Sequence, residues 1–283
     1  MVMEKIYIAR HGDRKSVTGL PRDPPLAAYG ETQAQELADH FLSLPEGERP
    51  TAIFSSPYSS LIASLINLYR QTAAYKLHNR QLKPSACPST SSMPNGTPRS
   101  SQGAASTHAQ ASPSDLVQYF TEIDTQLWPS PLFYPSRKGE SVGEVHDRVD
   151  GFLSLFPKVL RKQGEINMKR VLLVSHAATA IVLVRSLVGD RDLPLRYGCC
   201  SLSELVPKGE GAAGPDGHEI LGAYRGVKLA DGSHLKEGAS REWGFDDVEI
   251  DKGQVVEDPG VPGTQGEDDW PVGPQSHDIK SIL

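Results

Sequence analysis

Cysteine is scarce in this chain of 283 residues, which has three: Cys87, Cys199 and Cys200. They make no disulfide framework and no Cys-x-x-Cys metal pair. The adjacent Cys199 and Cys200 have the wrong spacing to bridge each other, so free thiols in a reducing compartment are expected. Long hydrophobic runs are also missing. None reaches the ~18 residues of a membrane span, and the first residues lack the basic and apolar regions of a secretory signal. A cytoplasmic and/or nuclear protein with no membrane partner is expected. There is no excess of positive charge either: 29 Lys and Arg stand against 35 Asp and Glu, for a net charge of −6. That excludes a global basic footprint, so no direct nucleic-acid binding is expected, although a local basic pocket remains possible.

What is present fits a globular α/β chain, with 38% hydrophobic and 23% charged residues. The apolar run Ile6-Tyr7-Ile8-Ala9 ends in Arg10-His11-Gly12, and a second run over 171–174 ends in Ser175-His176-Ala177. Strands are predicted over 4–9, 51–57, 170–175, 199–206 and 219–224, with a Gly-rich turn at 209–217. Helical spacing of apolar residues predicts helices over 30–44, 58–78, 140–162 and 177–188. Ser141 and Glu144 fit a capping box at the start of the third helix. This alternation of strands and helices implies a mainly parallel sheet. Residues 79–114 are dominated by Pro, Ser, Thr, Gly, Ala and Gln and cannot bury enough apolar surface to order themselves. Residues 1–240 are expected to form the domain. Residues 241–283 read as an acidic, Gly/Pro-rich disordered tail, with the acidic motif around Trp243-Gly244-Phe245 as the candidate exception.

Ligands in open α/β sheets bind beyond the carboxyl ends of strands, where both His11 and His176 fall. A neutral imidazole is a nucleophile once its tautomer is fixed and the incoming anion is neutralised. Arg10 offers a fork of donors to phosphate oxygens, Arg14 adds a cation on the same loop, and His176 can stabilise developing charge. The set suits a covalent phosphohistidine intermediate without metal or cofactor. No carboxylate or thiolate sits at ligand spacing around either histidine, which argues against a metal site. The other seven histidines lack this strand-end context and are read as ordinary core or surface residues.

These residues and several motifs in the same order resemble the histidine phosphatase (phosphoglycerate mutase-like) superfamily over roughly residues 4–225. The motifs are Arg10-His11-Gly12; Pro25-Leu26, Tyr29-Gly30 and Gln33-Ala34; Ser55-Ser56-Pro57; Gly139-Glu140-Ser141 with Arg148; and Ser175-His176-Ala177. The resemblance implies a three-layer α/β/α fold. It also implies His11 as phospho-acceptor, with Arg10, Arg14 and His176 lining the phosphate pocket. More narrowly, SRKGESVGEVHDRV, LLVSHAATAIVL and REWGFDDVEI are similar to fungal phosphatase-like proteins that include a subunit of the RNA polymerase III transcription factor TFIIIC. Two classes of function follow. One is a hydrolase acting on a phosphorylated small molecule or phosphoprotein. The other is a catalytically impaired pseudophosphatase whose partners are transcription-factor subunits.

The chain departs from the superfamily pattern in two places. Ser55-Ser56-Pro57 should be followed within three residues by a pocket arginine, but Arg70-Gln71-Thr72-Ala73 comes about ten residues late. On a continuous helix that displaces Arg70 by about 15 Å; if the insert loops out, Arg70 is the expected fourth phosphate ligand. In addition, no Asp or Glu occurs between Glu48 and Asp115, so this stretch offers no general acid for the leaving oxygen. Residues 79–114 are therefore either a disordered insertion or a frameshifted segment, as the codons possible for 93–99 and 106–110 allow. Likewise, residues 60–69 are either a genuine insert or unspliced sequence.

Overall fold

The computed structural model describes residues 3–14, 26–55, 140–162, 169–209 and 220–247. The helix expected over 58–78, the segment 79–114, Arg70 and the chain beyond 247 lie outside the described residues, as does nearly all of the turn at 209–217.

Strand β1 (Lys5–Arg10) is followed by helix α1 (Ala28–Ser43) and strand β2 (Ala52–Ser55). Next come helix α2 (Val142–Lys162), strand β3 (Arg170–Ser175) and helix α3 (Ala177–Val188). Strands β4 (Tyr197–Cys199), β5 (Leu202–Pro207), β6 (Tyr224–Asp231) and β7 (Ser240–Trp243) complete the order. The main sheet runs β2-β3-β1-β5-β6, and β4 with β7 forms a separate two-stranded ribbon. Strands β2, β3 and β1 are mutually parallel, whereas β5 and β6 add antiparallel pairs. The sheet is thus mixed, with the parallel part at the strands that carry the motifs.

Alternation along the central strands builds the layers. Tyr7, Ala9, Leu172 and Val174 face Leu37, Ala38 and Phe41 of α1. Ile6, Ile8, Val171 and Leu173 pack on the other face, in one cluster with Val149, Leu153 and Phe156 of α2 and Ile181, Val184 and Leu187 of α3. The result is the expected three-layer α/β/α arrangement. The capping box forms reciprocally: Ser141 N–H donates to Glu144 Oε2 at 2.7 Å, and Glu144 N–H to Ser141 Oγ at 3.3 Å. Helix α3 ends at Gly189, whose φ of 78° gives the left-handed cap that lets its N–H bond Arg185 O at 2.8 Å.

Three expectations are corrected. The strand predicted over 199–206 is two strands, because Cys200 adopts φ 57° and breaks the extended run. The strand predicted over 219–224 instead starts at Tyr224 and runs to Asp231. As the edge of the sheet, most of it is solvent-exposed and carries no alternating apolar signal. Finally, the tail expected to begin at 241 starts with ordered structure: β7 pairs with β4, and a short 3-10 turn, Phe245–Asp247, follows. Two features hold this end down. Arg196 donates to both carboxylate oxygens of Asp247 at 2.7 Å, and Arg185 lies 5.3 Å from the Phe245 ring centre.

Candidate active site

Parallel pairing sets the geometry. Arg10 and Ser175 are register partners, so His11 and His176 are the next residue on each strand. His11 N–H continues the ladder to Ser175 O at 3.1 Å. The two imidazoles meet edge to face, with ring centres 5.0 Å apart. Ser55 ends β2 at the same edge, one register position earlier, opposite Val174. His176 is also the N-cap of α3, so the positive end of a helix dipole faces this edge.

His11 is 2% exposed, and its Nδ1 lies 2.7 Å from Gly12 O. A carbonyl oxygen can only accept, so Nδ1 carries the ring proton and Nε2 keeps its lone pair. Burial pulls the His11 pKa down to about 3; His176, Arg14 and Arg10 add repulsion, while the Gly12 bond opposes the shift. The ring is therefore neutral across the physiological range and has a fixed tautomer.

Arg10 is oriented by the ribbon. Its Nη1 donates to Tyr197 O and to Arg241 O, both at 2.6 Å. Its buried Nε finds no partner among the described residues. Burial lowers its pKa, and the like charges of Arg14 and Arg241 lower it further. Arg14 forms an isolated bridge to Leu26 across the loop that leaves the strand. Behind the strand end, Cys200 N–H lies 3.2 Å from both Arg10 O and His11 O. Both thiols in this turn are buried and free.

Two glycines of the motifs form a single contact. A Cβ on Gly12 would lie 2.5 Å from Gly30 O, and one on Gly30 would lie 2.0 Å from Asp13 O. Gln33 is fully buried; it accepts from Asp13 N–H and donates to Ser240 Oγ, both at 3.0 Å. It thus ties the loop after His11 to the C-terminal ribbon. Arg148 grips both oxygens of Glu140 at 2.6 and 2.7 Å, so this motif pair is a bidentate ion pair. The structure brings together His11, His176, Arg10 and Arg14; Arg70 lies outside the described residues. Sequence reasoning missed Gln33 as the tie and Arg241 as a neighbour of Arg10. The Trp243-Gly244-Phe245 aromatics were the available signal that this segment is packed. Among the described residues, no cluster of three or more His, Cys, Asp or Glu could hold a metal ion. None of their helices is long and apolar enough to cross a membrane.

A layered α/β/α domain with histidines closing two adjacent parallel strands resembles the histidine phosphatase (phosphoglycerate mutase-like) class. Within that resemblance, the chain is similar to the transcription factor tau 55 kDa subunit of Saccharomyces cerevisiae. The two are 27% identical over 316 aligned positions, which span 96% of this chain and 67% of that protein. Solved structures with similarity include a mycobacterial glucosyl-3-phosphoglycerate phosphatase, at 16% identity and TM-score 0.44, covering 80% of this chain and 98% of that one. Another is a phosphoserine phosphatase variant from Entamoeba histolytica, at 13% identity and TM-score 0.42, covering 82% and 98%. No family model matches the chain.

Proposed function

We propose that this chain is a phosphohydrolase acting on phosphomonoesters through a phosphohistidine at His11. One observation carries the reading: His11 is buried, neutral and locked with Nδ1–H on Gly12 O, which leaves Nε2 as a bare nucleophile among cations. Nε2 attacks phosphorus, and the P–O bond breaks with its electron pair going to the leaving oxygen. Arg10 and Arg14 balance the charge on the phosphoryl oxygens, and His176 donates to them from the facing ring. Water then attacks the phosphohistidine, and the P–N electrons return to Nε2. Catalysis of this kind is mainly positioning and charge stabilisation. No carboxylate comes from residues 49–114, so that segment supplies no general acid for the leaving oxygen.

The similarity to the tau 55 kDa subunit supports a second reading, a nuclear protein that joins transcription-factor subunits and uses the same fold as an interaction module. The test is to expose the full chain to an aryl phosphate labelled on phosphorus. An acid-labile, base-stable phosphoprotein, with release of the phenol and loss of both in His11→Ala, is the result expected of the enzyme. Absence of label and of phenol release between pH 5 and 8 refutes it and leaves the interaction reading.

A further inference from the structure

The C-terminal ribbon does more than close the fold, because it delivers a third arginine to the phosphate edge. Arg241 lies 231 residues from Arg10, and its carbonyl accepts from Arg10 Nη1 at 2.6 Å. Its own Nε lies 2.9 Å from Asp13 Oδ1, two residues after His11. The side chain is 55% exposed. Among the described residues neither Nη group makes a hydrogen bond, so four further N–H donors stand in a planar fork. Its backbone adopts φ 49°, a left-handed conformation disfavoured for a residue with a long side chain. Strain of this sort persists where the surroundings over-determine it, commonly at ligand sites. Here it is held from three sides: the bond from Arg10, the pairing of β7 with β4, and Gln33 on Ser240 Oγ.

Exposure separates Arg241 from the inner groups: its side chain is 55% exposed, whereas His11 is 2% exposed and Arg10 has a buried Nε. Arg241 is therefore the solvent-side cation of this edge. An anion that reached it would belong to the same ligand but lie on the solvent side of the transferred phosphoryl group.

We infer that Arg241 is a specificity-determining residue whose exposed guanidinium edge binds a second anionic group, a carboxylate or phosphate, on the solvent side of the phosphoryl ligand. This rests on the phosphate-site reading but not on turnover, since a pseudophosphatase that still binds phosphoryl groups would show the same preference.

Two non-hydrolysable probes that differ only in one carboxylate test it: phenylphosphonate and 4-carboxyphenylphosphonate, titrated calorimetrically into the full chain. The wild type should bind the carboxylated probe about tenfold more tightly, as one charge-assisted fork contact provides. Arg241→Gln should abolish that preference, and Arg241→Lys should restore part of it. Thermal melting of each variant reports folding, and the ratio of the two affinities is insensitive to a general loss of competent protein. Equal wild-type affinities, or a preference that survives Arg241→Gln, would overturn the assignment while leaving the phosphate site intact. A wild type that binds neither probe overturns both. Binding with the predicted preference but no phenol release from aryl phosphate supports Arg241 and refutes only the hydrolase.

Discussion

Replacing His11 by Asn tests the physical core of the site without any assumption about catalysis. His11 is 2% exposed, and burial pulls its pKa from an ordinary 6.5 to about 3. The unfolded chain therefore binds a proton at His11 that the folded chain refuses, and stability rises with pH across that window. The His11 contribution is complete above pH 6.5 and is lost as pH falls towards 3, by up to ~1.4 kcal/mol per unit. Between pH 8 and pH 5 the integrated loss is ~2 kcal/mol, and because pH 5 lies well above the folded pKa this figure is insensitive to its exact value. Asn keeps an N–H that can reach Gly12 O but has no titrating group. Urea unfolding at pH 8, 7, 6 and 5 should therefore show His11→Asn losing ~2 kcal/mol less than the wild type, roughly 1 M in midpoint at a typical m-value. His40, His146 and His234 are also depressed by burial, but they are present in both proteins and cancel in the comparison. Parallel curves for the two proteins would show that His11 is not held neutral by the fold and would remove the nucleophile argument with it.

Two further substitutions probe the frame around that ring. Gly12→Ala drives a methyl to within 2.5 Å of Gly30 O, a backbone atom that cannot swing away. The expected loss is on the order of 2–3 kcal/mol, or a Tm lower by roughly 5–10 °C, and an unchanged melting curve would contradict the close approach. Arg148→Met leaves the Glu140 carboxylate, 12% exposed, without its bidentate partner, which should destabilise by ~3 kcal/mol. Adding Glu140→Leu should restore much of that loss; a double-mutant cycle with coupling near zero would show that the pair is not a unit.

The central layer was legible in the sequence because its signals are local. An apolar run ending in Arg10-His11-Gly12, a second ending in Ser175-His176, and the Ser141/Glu144 box each specify their own geometry within a few residues, and the structure keeps all three. The strand over 224–231 was misplaced for the opposite reason. Residues 225–229 are exposed, so Arg225 and Lys228 interrupt any alternation, and only pairing with β5 makes them a strand. Cys200 was invisible because a left-handed residue that is neither Gly nor Asn leaves no sequence mark; its conformation comes from the N–H that reaches Arg10 O and His11 O. Arg241 was assigned to a disordered tail on acidic, Gly/Pro-rich composition alone. Its position depends on Gln33, Arg10 and β4, contacts across about 200 residues or more for the first two, which no periodicity can carry. Pairing of His11 with His176 was inferable only because parallel strands align their ends.

The site brings together several arrangements that are locally unfavourable. A neutral His11 is buried against a second imidazole, Arg10 has a buried Nε with no partner among the described residues, and Arg241 has a left-handed backbone. Each would be relieved by an ordinary substitution: an apolar residue at 11, a shorter polar one at 10, glycine at 241. The convergence of these groups at one sheet edge, with the proton of His11 directed away from its lone pair, is what the proposed phosphate site requires. Asp13 and Glu140 are engaged elsewhere. Asp13 contacts Arg241 and Glu140 is gripped by Arg148, so each is committed to an arginine. On the proposed reading, the groups of this sheet edge serve phosphoryl capture, while Asp13 and Glu140 each hold an arginine.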